Sequence, residues 1–194
     1  YNYVKYKINN IYIICLIKYK INIYYYYYMS ENFVDMIVEI PYNSLIKYEF
    51  DEEYKIMRCD RILNTSMLYP GNYGFIPNTL SGDNDPLDIL LLTEYPIFPG
   101  TIINVKIIGV LLTTDEMGDD EKLLAVPTNK VDPKFKNIND LNDLDDSTLN
   151  KIKHFFTHYK DNDDNKWVTV KNFENKDFAL NILENSKINF KANL

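Results

Sequence analysis

Ile102-Ile103-Asn104-Val105-Lys106-Ile107-Ile108-Gly109-Val110-Leu111-Leu112 is the longest of four apolar runs in the middle of the chain, and it reads as a strand. Met36 to Ile40 and Ile89 to Leu92 precede it, and Leu123 to Val126 follows. Turn signals stand between the runs: Tyr69-Pro70-Gly71-Asn72-Tyr73-Gly74, Pro99-Gly100 and Met117-Gly118-Asp119-Asp120. Short strands at this spacing predict a small closed barrel. Beyond Asp145-Asp146-Ser147, which can cap a helix, the period changes. Leu149, Ile152, Phe155 and Phe156 recur at helical spacing up to about Tyr159. Trp167 to Val170 reads as one more strand. Asn175 can cap a last helix that turns Phe178, Ala179, Ile182 and Leu183 inward and frays from Ile188. Asp132 to Asp146 reads as a polar surface connection with one turn of helix.

A chain of 194 residues, 46% hydrophobic and 14% aromatic, is long enough for one domain with a full core. Cys15 and Cys59 are too few for a disulfide framework, and no Cys/His cluster has zinc spacing, so a reducing, cytoplasmic setting is expected. Residues 1–28 differ from the rest: ten Tyr, seven Ile, four Asn and four Lys, with no acid, Gly or Pro. AT-rich codons encode these types, so this segment reads as a non-native or disordered, β-prone extension, with Met29 as the natural start and 29–194 as the single domain. The apolar run Ile11 to Ile17 is too short for a membrane span, and no cleavage site of a signal peptide follows it. Without the extension, 17 basic and 28 acidic residues give a net charge of −11. That charge does not suit nucleic-acid binding.

Asp83-Asn84-Asp85-Pro86-Leu87-Asp88 crowds three carboxylates into one turn, and Pro86 keeps it from winding into a solvated helix face. Like charges this close raise one another's pKa unless cations lie between them, which points to hard metal ions such as Mg²⁺ and to phosphate chemistry. A second acidic loop, Asp115 to Lys122, lies between two runs that could pair, so both loops could face one cavity. Taken alone, each cluster also fits a solvated turn. An EF-hand count from Asp83 puts Leu87 at the fifth place and Asp88 at the sixth, where Gly is required, and counts from Asp115 and Asp161 also fail. Lys47, Arg61, Lys122 and Lys160, with Tyr69, Tyr73 and Tyr159, lie beside turns or apolar runs, and each by itself fits a surface cation or a core tyrosine. His154 and His158 are spaced to clamp a metal, but the motif lacks a Glu after His154, and helix packing is the expected role. No phosphate-cradling Gly-rich loop and no nucleophile elbow is present.

Seven segments in order resemble the soluble family I inorganic pyrophosphatases in their compact bacterial-type form. They are Glu39-Ile40-Pro41, Ile46-Lys47-Tyr48-Glu49, Asp60-Arg61, Tyr69 to Pro77, Asp83 to Asp88, Thr114 to Lys122 and His154 to Lys160. Asn84 stands where Gly is common, and Thr157 replaces a frequent Glu. The resemblance implies an α+β, mainly β fold: an OB-like five-stranded closed barrel with two helices. It also implies Mg²⁺-dependent hydrolysis of pyrophosphate by a metal-activated water, with Mn²⁺ as an alternative metal. By the same resemblance Asp83, Asp88, Asp115 and Asp120 hold metal, Asp88 as the bridge, and Asp85 is the catalytic base. Lys47, Arg61, Tyr73, Lys122, Tyr159 and Lys160 bind the phosphates, while Glu39, Glu49, Tyr69 and Glu116 line the cavity. A homohexamer in the cytoplasm, with no nucleic-acid or membrane partner, completes the expectation. The competing reading is a non-catalytic OB-type module, which would need a basic, aromatic groove.

Overall fold

The computed structural model describes residues 3–8, 11–16, 32–51 and 53–193. Within the first 28 residues, β1 (Tyr3–Ile8) and β2 (Ile11–Leu16) pair antiparallel and belong to a compact unit of their own. The expected start at Met29 lies outside the described residues.

The second unit begins at Asn32. It contains β3 (Phe33–Ile40), β4 (Ile46–Asp51), β5 (Ile56–Ile62), β6 (Asn72–Phe75), β7 (Asp88–Leu91), β8 (Ile102–Asp115), β9 (Gly118–Asp119) and β10 (Lys122–Pro127). Helix α1 (Asp146–His158), strand β11 (Val168–Asn175) and helix α2 (Lys176–Ala192) follow. The order β10-β7-β6-β3-β8, closed by pairing of β8 with β10, makes the expected five-stranded ring. Strand β11 extends the sheet from β8. The pairing of β7 with β10 is parallel.

Strand β7, the middle of β8 and β10 read as apolar runs because both faces are covered, whereas β3 alternates. Leu90, Ile108, Leu111, Leu124 and Val126 share one cluster with Ile152, Phe155 and Phe156 of α1. Their alternating neighbours Ile89, Leu91, Ile107, Val110, Leu123 and Ala125 share another with Ala179, Leu180 and Leu183 of α2. Each fully buried Leu or Ile in these layers contributes roughly 1.5–3 kcal/mol of transfer free energy. Gly74 is required where β6 crosses close to β3: a Cβ there would lie 1.9 Å from the Ile37 carbonyl oxygen.

Asp145 caps α1 by accepting from the Thr148 N–H, and Asn175 caps α2 by accepting from the Phe178 N–H, both as the sequence suggests. Other expectations need correction. Phe178 is 44% exposed and Leu180 takes the inward place, because the buried stripe of α2 runs through Ala179, Leu180, Leu183 and Ser186. Helix α2 continues to Ala192 instead of fraying at Ile188. His154 and His158 do not pack into the core; they are exposed, with ring centroids 4.8 Å apart and His158 bonded to Asp161. The connection 132–146 holds two 3-10 turns, Pro133–Phe135 and Leu141–Asp143. Among the described residues no helix is long and apolar enough to cross a membrane.

Candidate active site

Strand register assembles the centre of the site. Asp88 opens β7 and Lys122 opens β10, and the parallel pairing sets them directly opposite each other. Lys122 Nζ donates to Asp88 Oδ2 at 3.0 Å, to both oxygens of Asp120 at 2.8 Å and to Tyr73 Oη at 3.0 Å. The Tyr73 hydroxyl in turn donates to Asp88. Burial works against the Lys122 charge, but Asp88 and Asp120 outweigh it and raise its pKa. Asp88 is raised by burial, partly offset by Lys122.

The Asp83–Asp88 turn is closed locally. Asp83 Oδ1 accepts from the Asp85 N–H at 3.0 Å, and Ser81 N donates to the Asp85 carbonyl. Asn84 has φ 70°, the left-handed conformation in which Gly or Asn is favoured. Burial and the neighbouring Asp85 and Asp120 raise Asp83.

Lys160, just beyond α1, donates to Asp115 at 2.9 Å and lies 3.4 Å from Glu116, so it bridges to the second acidic loop. Burial would raise Asp115, but the hydrogen bonds from Lys160 and Met117 N–H hold it below the usual carboxylate range. On the other side, Lys47 and Arg61 are opposite in the β4–β5 register. Lys47 pairs with Glu49, and Arg61 Nη1 reaches Asp60 at 2.6 Å, while Arg61 Nε is buried with no hydrogen-bond partner among the described residues. Glu39 Oε1 accepts from the Phe50 N–H at 2.8 Å; burial, opposed by that bond, pushes its carboxyl up to about 7. The Tyr69 ring packs at a tilt against Tyr73 and Phe155, and burial raises the hydroxyls of Tyr69, Tyr73 and Tyr159.

All fifteen candidate residues line one cleft of about 490 Å³: Glu39, Lys47, Glu49, Arg61, Tyr69, Tyr73, Asp83, Asp85, Asp88, Asp115, Glu116, Asp120, Lys122, Tyr159 and Lys160. Lys166, Met117, Phe50, Phe75 and Pro86 also line it, and sequence reasoning named none of them for the site. Lys166 is a loop cation with no motif around it. A larger groove of about 1070 Å³, walled by Met67, Leu68, Phe135, Ile138 and Ile152, holds none of these fifteen residues, so the chemistry belongs to the smaller cleft.

The donor set tests whether a metal fits. Asp83, Asp88, Asp115 and Asp120 supply hard oxygen donors in one cleft, and burial, with neighbouring acids adding to it, raises the Asp83 and Asp88 carboxyls, so a cation between them would be favoured. Among the described residues no three His, Cys, Asp or Glu side chains converge on a single point, since Lys122 and Lys160 stand between the carboxylates. The chemistry of the set fits Mg²⁺; the lysines would have to yield part of their contacts to it.

A closed five-stranded ring with an acidic, lysine-laced cleft defines a phosphate-handling hydrolase. A family model described as inorganic pyrophosphatase matches residues 36–191. The inorganic pyrophosphatase of Campylobacter jejuni is 49% identical over 160 residues, 82% of this chain and 93% of that protein. That of Saccharolobus solfataricus is 54% identical over 137 residues, 71% of this chain and 80% of that protein. The solved structure of the Helicobacter pylori inorganic pyrophosphatase superposes with a TM-score of 0.81 at 45% identity, covering 82% of this chain and 94% of that one. The chain belongs to the inorganic pyrophosphatase family, whose reaction is hydrolysis of pyrophosphate to phosphate.

Proposed function

We propose that this cleft hydrolyses inorganic pyrophosphate to two phosphates with Mg²⁺, by direct attack of water and without a covalent phospho-enzyme. The observation that carries the reading is the meeting of fifteen acidic, basic and phenolic side chains, drawn from segments between Glu39 and Lys160, in one cleft. Asp83, Asp88, Asp115 and Asp120 would hold the metal. Bound Mg²⁺ supplies charge neutralisation and a lowered pKa for the attacking water.

The chain's own residues do the rest. Asp85 accepts the proton of the attacking water. Arg61, Tyr159 and Lys160 hold the leaving phosphate through charge-assisted hydrogen bonds. Lys47, Tyr73 and Lys122 neutralise the transferring phosphate. Such a highly charged substrate needs positioning and electrostatic stabilisation more than covalent chemistry. Glu39, Glu49, Tyr69 and Glu116 support these groups from the cleft wall.

Phosphate release from pyrophosphate in excess Mg²⁺ is the direct assay; a correctly folded chain that releases none would sink the proposal. Comparison with ATP separates pyrophosphate from nucleotide substrates, and Mn²⁺ in place of Mg²⁺ tests the metal. The resemblance further suggests a cytoplasmic hexamer, which solution mass would check. The acidic cleft does not support an oligonucleotide-binding module.

A further inference from the structure

Arg61 and Lys160 come to the cleft on separate parts of the fold. Arg61 is on β5, whose only strand partner among the described residues is β4, so their two-stranded sheet lies outside the barrel ladder. Lys160 is in a series of turns between α1 and β11, closed by Asp161 N to His158 O and Asp163 N to Lys160 O. No ladder sets the distance between the two cations, although a pyrophosphate group held by both would need it fixed.

Two reciprocal hydrogen bonds join these parts. Asn64, three residues after Arg61, donates from Nδ2 to the Asn162 carbonyl at 3.0 Å. Asn162, two residues after Lys160, donates from Nδ2 to the Asn64 carbonyl at 2.8 Å. Each residue gives a side-chain donor and a backbone acceptor, so the pair closes a ring across 98 positions of sequence. Neither side chain lines the cleft. Both are neutral, so the ring tolerates changes of charge in the cleft, and exposed bonds of this kind contribute little to global stability.

We propose that Asn64 and Asn162 form a clasp that fixes the spacing of Arg61 and Lys160, and so act as positioning residues for the bound phosphate. The inference rests on the phosphate-holding roles given to Arg61 and Lys160 above. Its test is steady-state kinetics on the full chain with pyrophosphate and Mg²⁺. Asn64→Ala, Asn162→Ala and the double variant are compared with Arg61→Ala and Lys160→Ala, with a thermal midpoint for each. Each Asn variant is expected to raise KM roughly three- to tenfold with kcat within about twofold and the thermal midpoint little changed. The double variant should be no worse than about the larger single one, because either loss opens the ring. Asn162→Asp, which sets a carboxylate against the Asn64 carbonyl, should be at least as damaging as Asn162→Ala. An unchanged KM in every Asn variant, while Arg61→Ala and Lys160→Ala raise it, overturns the clasp and leaves the cleft reading intact. Kinetic losses that merely follow the thermal midpoint also overturn it. If Arg61→Ala and Lys160→Ala leave KM unaltered, the phosphate-holding roles fall and the clasp with them.

Discussion

Lys122 Nζ lies 3.0 Å from Asp88 Oδ2, and the lysine side chain is only 2% exposed. A buried cation that touches Asp88, Asp120 and Tyr73 at once is the electrostatic keystone of the cleft floor. Removing one partner of a buried pair leaves the other uncompensated, so Lys122→Met should destabilise the metal-free protein by roughly 3–5 kcal/mol. Urea denaturation measures this. Added Mg²⁺ should restore part of the loss, since it can balance the same carboxylates; no restoration would count against metal at Asp88 and Asp120.

Unlike Asp88, Asp115 and Asp120, Asp85 has no lysine ion pair among the described residues. Asp85→Asn preserves shape and removes a proton acceptor. It should bind Mg²⁺ and pyrophosphate while turnover falls by roughly 10²–10⁴-fold. Near-normal turnover would remove Asp85 from the base role.

Glu39 carries a carboxyl raised from 4.5 to about 7, mainly by burial. Between these values the folded metal-free chain binds more protons than the unfolded chain, so this group lowers stability as pH rises through that window. The full effect is on the order of 3 kcal/mol. Glu39→Gln keeps an acceptor for the Phe50 N–H and cannot ionise. Denaturation curves at pH 5 and pH 8 should therefore lie closer together for the variant than for the parent, and an equal spacing would contradict the assignment.

Gly74→Ala should be severe, since the new Cβ meets backbone at Ile37 instead of a side chain that could turn aside. A loss of about 3 kcal/mol or more, or failure to accumulate folded protein, is the expected result in thermal denaturation. A variant of parental stability would show that β3 and β6 can separate freely.

Chelation by EDTA should abolish phosphate release and lower the thermal midpoint, because a metal bound only by the folded chain stabilises it by mass action. Re-addition of Mg²⁺ should reverse both. Activity that persists after chelation would remove the metal from the reading.

Much of the ring was legible because its residues are buried on both faces: the runs containing Ile89, Ile107 and Leu124 stand out without alternation, and the Met36 run shows the simple alternation of a half-covered strand. The β4–β5 hairpin was not, since residues such as Ile56, Arg58, Cys59 and Ile62 are largely exposed and leave no apolar period. The caps Asp145 and Asn175 were readable from local chemistry, whereas the phase of the α2 stripe was not. Whether Phe178 or Leu180 turns inward depends on where the helix meets β8. Among the site residues, acids crowded beside Pro86 announce themselves; Lys166 reaches the cleft only because a loop brings it there.

The sequence by itself determined the parts: apolar runs long enough for strands, acidic turns that need cations, and an ordered set of segments that fixes the family. Local interactions suffice for these, because burial pattern, capping and charge crowding act over a few residues. Only the tertiary structure decided that Lys122 stands opposite Asp88, that Lys160 reaches Asp115, and that Asn64 and Asn162 join across the chain. Those relations depend on strand register and barrel closure, which arise from the packing of both faces of the ring together and are encoded in no single segment.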